Sequence, residues 1–146
     1  MALPVLKPMA SEARHMESMA SVGIERPFAL HEQQRDGLTI LTAGGPIEMI
    51  EIAALERALK RLMREGQRRV IVDLSEVTTL STLAVAGFVI CAELFRSTGG
   101  EITVTGVSRA LRDAFHMIDS DGRLKQQIDV ESAIKAMSPR SAEMEG

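Results

Sequence analysis

The stretch Arg69-Val-Ile-Val-Asp-Leu-Ser-Glu-Val-Thr-Thr-Leu-Ser-Thr-Leu-Ala-Val-Ala-Gly-Phe-Val-Ile-Cys-Ala-Glu-Leu-Phe95 decides how the chain folds. Val70, Ile71, Val72 and Leu74 form a nearly continuous apolar run, the pattern of a strand covered on both faces. Asp73 interrupts it near its C-terminal end, where a carboxylate can reach water. Ser75 to Thr82 is polar. Helical spacing then takes over: Leu83, Ala86/Gly87, Ile90 and Leu94 make one stripe, and Val85, Val89 and Ala92 a neighbouring one. Apolar residues around most of the circumference predict a buried helix. Ser81 or Thr82 stands at the N-cap, where a side-chain oxygen accepts an orphan backbone N–H.

The flanking segments supply further elements. Pro27 begins the folded part, and Phe28 to Gln33 alternates weakly, as an edge strand does. Arg35-Asp36-Gly37 is a hairpin signal. Leu38 to Ala43 is a β-branched, apolar strand, expected to stop at Gly44-Gly45-Pro46. From Glu48 the period is helical, with Ile52, Leu55, Leu59 and Leu62 inward, Ala58 and Met63 beside them, and Glu51, Glu56, Arg57, Lys60, Arg61 and Arg64 outward. Glu48 and Glu51 suit the positive N-terminal end of that helix and Arg61 and Arg64 its negative end. Gly66 stops it.

Thr98-Gly99-Gly100 ends the central helix, and Glu101 to Thr105 is a short strand. Ser108 is expected to cap a helix from Arg109 to about Ile118, with Leu111, Ala114, Phe115 and Ile118 inward. Asp119-Ser-Asp-Gly122 is turn chemistry. Leu124 to Ile128 reads as a short edge strand. Asp129 then caps a last helix carrying Val130, Ala133, Ile134 and Met137, which Pro139 stops. This alternation predicts an α/β domain, a mixed sheet of four to five strands with about four helices, over residues 27–138. Residues 1–26 read as a flexible leader, with Pro4, Pro8 and no sustained period, and residues 139–146 as a polar tail.

Composition narrows the function. The chain has 146 residues, enough for one domain with a real core. Its net charge of −3 gives no strong attraction to nucleic acid or anionic membrane. It has no Trp or Tyr, so a base-stacking surface is not expected. A single cysteine, Cys91, excludes an internal disulfide and fits a reducing compartment. No apolar run reaches the ~20 residues that span a bilayer, and the N-terminus lacks the layout of a signal peptide. A cytoplasmic protein is expected. His15, His31 and His116 stand apart from any nucleophile, Cys91 lies among apolar residues, and no Cys/His spacing suits zinc. The two Gly-Gly pairs lack the companions of phosphate loops. No catalytic residue, metal or cofactor is expected.

The central stretch resembles the core of the STAS domain, the fold of bacterial anti-sigma factor antagonists. The family pattern reads roughly Asp-Leu-Ser-Gly-Val-x-x-Ile-Asp-Ser-Ser-Gly-Leu. Asp73-Leu74-Ser75-Glu76-Val77-Thr78-Thr79-Leu80-Ser81-Thr82-Leu83-Ala84-Val85 aligns with it without a gap. Ser81 stands for the second aspartate, Thr82 for the serine that a kinase phosphorylates, Leu83 for the next serine and Ala84 for the glycine. Gly45-Pro46-Ile47-Glu48, Thr98-Gly99-Gly100-Glu101 and the Asp129 helix start resemble other family features, in order.

The resemblance implies a non-catalytic, partner-switching regulator. Its partner would be an anti-sigma factor that is also a serine/threonine kinase, and a homodimer stays open. Thr82 would be the phosphoacceptor, with Ser81 as the alternative. Gly45, Glu48, Asp73, Ser81, Thr82 and Leu83 would meet the partner at one end of the sheet. A constitutive, unphosphorylated scaffold in a signalling complex or a lipid-transport ATPase assembly is the alternative, favoured by the altered switch residues. A small-ligand sensor is a third and weaker reading.

Overall fold

The computed structural model describes residues 27–137. The leader and the tail expected at 1–26 and 139–146 lie outside them. The order is β1 (Ala29–Arg35), β2 (Leu38–Ile47), α1 (Met49–Arg64), β3 (Arg69–Leu80), α2 (Thr82–Ser97), β4 (Glu101–Thr105), α3 (Arg109–Ile118), β5 (Lys125–Gln127) and α4 (Val130–Met137). The five strands form one sheet in sequence order. β1 pairs antiparallel with β2, and all later pairs are parallel. At the β1–β2 turn both Asp36 and Gly37 have positive φ, 56° and 79°, the backbone of a tight hairpin that matches strand twist.

Each parallel strand is added on the same side of the last. Right-handed crossovers then send α1, α2 and α3 to one face. The main core fills that face: Leu41, Val70, Val72 and Val104 from the sheet meet Leu55, Leu59, Phe88, Phe95, Leu111 and Phe115 from the helices. Among the described residues only α4, after the last strand, covers the other face, where Ala133, Ile134 and Met137 pack on Leu38, Ile40 and Ile71. Asp129 accepts the Ser132 amide at 2.8 Å, the cap expected of it. That backbone hydrogen bond holds its carboxyl below the usual carboxylate range.

Several boundaries differ from the sequence expectation. β2 does not stop at Gly44-Gly45-Pro46. It continues to Ile47, with register shifts between Thr42 and Gly44 and between Gly45 and Pro46. β3 likewise runs through the polar passage to Leu80. Gly44 faces Glu76 and Ile47 faces Leu80, and Val77 and Leu80 turn inward from an otherwise exposed passage. The glycines and proline mark bulges rather than a strand end. Ser108 is the N-cap residue of α3, but its side chain makes no cap hydrogen bond. Ile118, expected inward, is exposed at the end of α3. β5 is shorter than expected, and Leu124 is buried just outside it.

The sheet narrows towards its C-terminal end. β4 ends at Thr105, opposite Asp73. β1 begins at Ala29, opposite Gly44. Among the described residues only the bulged β2–β3 ladder continues beyond Gly44.

Candidate functional site

The β2–β3 ladder ends where two helices begin. The Ser81 amide donates to the Ile47 carbonyl at 3.2 Å, which sets the starts of α1 and α2 side by side. Glu48 is the N-cap residue of α1, and its amide donates to Glu51 Oε1 at 2.9 Å. Ser81 caps α2, its hydroxyl accepting the Ala84 amide at 3.1 Å while its carbonyl accepts the Val85 amide at 3.0 Å. Capping therefore falls to Ser81, the first of the two hydroxyl residues. Thr82 is the first helical residue and is exposed. The helix dipole leaves this end partially positive, and the first turn of α2 carries no acidic residue to neutralise it.

Gly45 belongs to the same cluster through its backbone. Its φ is +81°, and a Cβ there would sit 2.5 Å from the Pro27 carbonyl oxygen. The described chain thus enters the fold beside the helix starts. Gly44 makes room for Glu76 across the ladder: a Cβ on it would lie 3.3 Å from Glu76 Cβ.

Asp73 is not part of this cluster. It lies seven residues before Leu80, on the order of 20 Å at the usual strand rise. Its carboxylate accepts from the Ser75 amide at 3.1 Å, the Ser75 hydroxyl at 3.2 Å and the Thr105 hydroxyl at 3.2 Å. In this structure Asp73 ties β3 to β4. Of the sequence candidates, Gly45, Glu48, Ser81, Thr82 and Leu83 come together and Asp73 does not.

Apolar exposure surrounds the hydroxyl pair. Leu83 is 63% exposed, so it belongs to the surface and not to the core. Met49 and Ile50, in the first turn of α1, are exposed as well, Ile50 to 81%. The sequence reading passed over both, although Ile50 falls opposite the Ile52–Leu62 stripe on the helical wheel and so could have been found. α2 is not buried all round, contrary to the expectation. Ala84, Val85, Phe88, Val89, Cys91, Ala92 and Phe95 face the core. Leu83, Ile90 and Leu94 form an outward ridge, with Ile90 70% exposed. Gly87 lies on the flank towards α1, where a Cβ would meet Glu56 Oε2 at 2.6 Å.

His31 and His116 are exposed on separate elements. Cys91 is a buried thiol that desolvation, with the nearby Glu56 charge, pushes up to about 11. Among the described residues no group of three or more His, Cys, Asp and Glu side chains is placed to hold a metal ion, and no helix is long and apolar enough to cross a membrane. Surface hollows of about 200 to 320 Å³ lie between α3 and β5 and at the β1–β2 edge, lined by residues such as Arg112 and Gln126 or His31 and Thr42 rather than by α2.

The model of the STAS domain family matches residues 30–137. The chain belongs to the STAS domain family. Solved STAS structures share its fold at low identity. An anti-sigma factor antagonist from Mycobacterium paratuberculosis superposes with a TM-score of 0.67 at 21% identity, covering 75% of this chain and 93% of that one. An RsbS variant from Moorella thermoacetica gives 0.65 at 12%, covering 79% and 98%. The Bacillus cell fate determinant SpoIIAA in its phosphorylated form gives 0.57 at 12%, covering 75% and 98%. No curated protein matches. This STAS domain carries Ser81-Thr82-Leu83-Ala84 at the start of α2.

Proposed function

We propose that this STAS protein is a non-catalytic, partner-switching regulator that docks a serine/threonine kinase of the anti-sigma type through its paired helix starts. Thr82 is the phosphoacceptor in this reading. The observation that carries it is the division of labour at α2: Ser81 does the capping, and Thr82 stands exposed at the first helical position. Removing or modifying the Thr82 hydroxyl would leave the cap in place. In the transfer step Thr82 Oγ1 attacks the γ-phosphorus of ATP. The new P–O bond forms, the bond to the β-phosphate breaks, ADP leaves, and the hydroxyl proton passes to a base on the kinase. The product carries about −1.5 to −2 charges at pH 7. The positive helix end and its amides tolerate that charge, while an acidic or apolar partner surface does not. Binding is thereby lost with little internal movement.

The test is capture of partners from lysate of the native host on wild type, Thr82→Ala and Thr82→Glu, with and without Mg-ATP. The expected result is a kinase retained by Thr82→Ala whatever the nucleotide, released from wild type by ATP, and poorly held by Thr82→Glu. Phosphate is expected on the tryptic peptide 70–96. Equal retention by all three proteins would rule the switch out.

One observation favours a second reading, the constitutive scaffold. Leu83, Met49 and Ile50 place apolar surface around Thr82, and apolar surface suits a persistent contact. A partner held equally with and without ATP, on an unmodified peptide, is the result expected of a scaffold.

A further inference from the structure

Leu83, Gly87, Ile90 and Leu94 follow one another on α2 at spacings of four, three and four, the seam spacing of two packed helices. The fold leaves this seam on the outside. Leu83, Ile90 and Leu94 are exposed, and Gly87 is half-buried on the flank towards α1. At about 1.5 Å per residue the seam is roughly 16 Å long. An apolar line of this extent marks an interaction surface.

A second copy of the chain fits the seam in shape. Set antiparallel about a twofold axis midway along it, Leu83 of one copy comes opposite Leu94 of the other, and Ile90 comes opposite Gly87. Each contact then occurs twice, as a twofold interface requires. Gly87 has no side chain, so Ile90 of the second copy finds a notch there. The carboxylate end of Glu56 borders the notch. No ion pair holds that flexible end among the described residues, so it gives way.

The second copy also fits in charge. The same axis sets the two α1 helices antiparallel on one flank of the seam. α1 borders the seam there, since Gly87 lies next to Ile52 and Glu56 and Cys91 feels the charges of Glu56 and Lys60. α1 starts acidic, with Glu48 and Glu51, and continues basic, with Arg57, Lys60 and Arg64. Those three cations are exposed and make no ion pair among the described residues. In the antiparallel pair the basic half of each α1 faces the acidic start of the other, and the helix dipoles oppose favourably. A parallel pair would set like charges together. A foreign partner would have to match both the seam spacing and this reversal of charge, and the chain itself already carries both.

We propose that the protein forms an antiparallel homodimer through the outward seam of α2, with Ile90 seated on Gly87 of the second copy. One helix pair is small beside the roughly 800 Å² per partner of a standard interface, so the dimer is reversible and forms as concentration rises. Leu83 lies in the seam next to Thr82, so pairing and docking at the helix starts exclude each other. The pairing itself does not rest on that docking.

Sedimentation equilibrium of the full chain, without nucleotide or partner, tests the association. A single chain is expected at low micromolar concentration, moving towards two chains near millimolar. Ile90→Arg should weaken association at least about tenfold, with the circular dichroism of wild type. If that variant misfolds, Ile90→Ser replaces it in the same comparison. The register is read with Leu83→Cys, Leu94→Cys and a short bifunctional thiol reagent. Two copies of one variant keep their new thiols about 16 Å apart, whereas a mixture of the two variants brings them together. Cross-linked dimer is therefore expected from the mixture and not from either variant alone. The wild-type chain, whose one thiol is the buried Cys91, is the blank. A chain that stays single at every concentration overturns the proposal. So does a dimer that the Ile90 substitution leaves intact, a mixture that does not cross-link, or a variant that cross-links by itself. Phosphate on Thr82 enters none of these readouts, so their outcome is separate from that of the switch.

Discussion

α1 and α2 start side by side, run in the same direction and lie on the same face of one sheet, yet they present opposite outer surfaces. α1 buries Ile52, Leu55, Leu59 and Leu62 and, past its first turn, turns Arg57, Lys60 and Arg64 towards solvent, with Arg61 half-buried beside them. Arg61 pairs there with Glu32 and Glu65. α2 buries a comparable face and turns Leu83, Ile90 and Leu94 outward. The inner faces answer the same demand, filling the space above the sheet. The outer face of α1 shows that the fold makes no demand for apolar residues there. The outer face of α2 therefore reports something other than folding.

Substitutions can break or sharpen that contrast. The largest effects belong to the two inner faces. Leu59→Ala in α1 should cost about 2–5 kcal/mol and Phe88→Ala in α2 about 3–5 kcal/mol in urea unfolding, because both leave cavities in a packed core. A mild loss at Phe88 would mean that α2 is held less tightly than α1 and would undo the equivalence of the inner faces. Next comes the platform beneath both helix starts. Gly45→Ala forces a Cβ into a left-handed conformation against the Pro27 carbonyl, and should cost about 2 kcal/mol, read in the same way.

The caps follow. Ser81→Ala should cost about 1 kcal/mol through the lost bond to the Ala84 amide. Thr82→Ala should change stability by less than about 0.5 kcal/mol, as an exposed residue outside the cap does. Equal losses at the two positions would return Thr82 to a structural role. The smallest effect sharpens the contrast most. Ile90→Gln on the α2 ridge should stay within about 0.5 kcal/mol of wild type, as Arg57→Gln should on α1. A loss of several kcal/mol at Ile90 would make the ridge part of the fold after all.

The helices and their inner faces were legible in the sequence because period and burial coincide there. In α1 the polar side of the wheel settles which face is buried. In α2 nearly every position is apolar, so the wheel offers two inward faces, one through Leu83, Ile90 and Leu94 and one through Val85, Val89 and Ala92. Only the position of the sheet, to which sequence period is blind, chooses between them. The β2–β3 extension was missed for a related reason. Gly44, Gly45 and Pro46 carry the local signal of a stop, and a bulged ladder uses the same residues. In the candidate site, the Ser81-Thr82 pair was visible as a helix start, but the choice of capping residue depends on backbone angles that two adjacent hydroxyl residues share in sequence terms. Asp73 looked close to the site because it opens the same motif, and the length of β3 carries it away.

The narrowing of the sheet makes the paired helix starts a cantilever. Up to Asp73 every strand has neighbours on the ladder, and β3 is clamped from both sides; past Gly44 a single bulged ladder bears whatever acts on the tip. The tip can flex, or peel one ladder of hydrogen bonds, at less than the free energy of global opening. Its inward residues, Ile47, Val77 and Leu80, are joined to the main core, so the tip is braced from beneath by packing where it has lost its neighbouring strands.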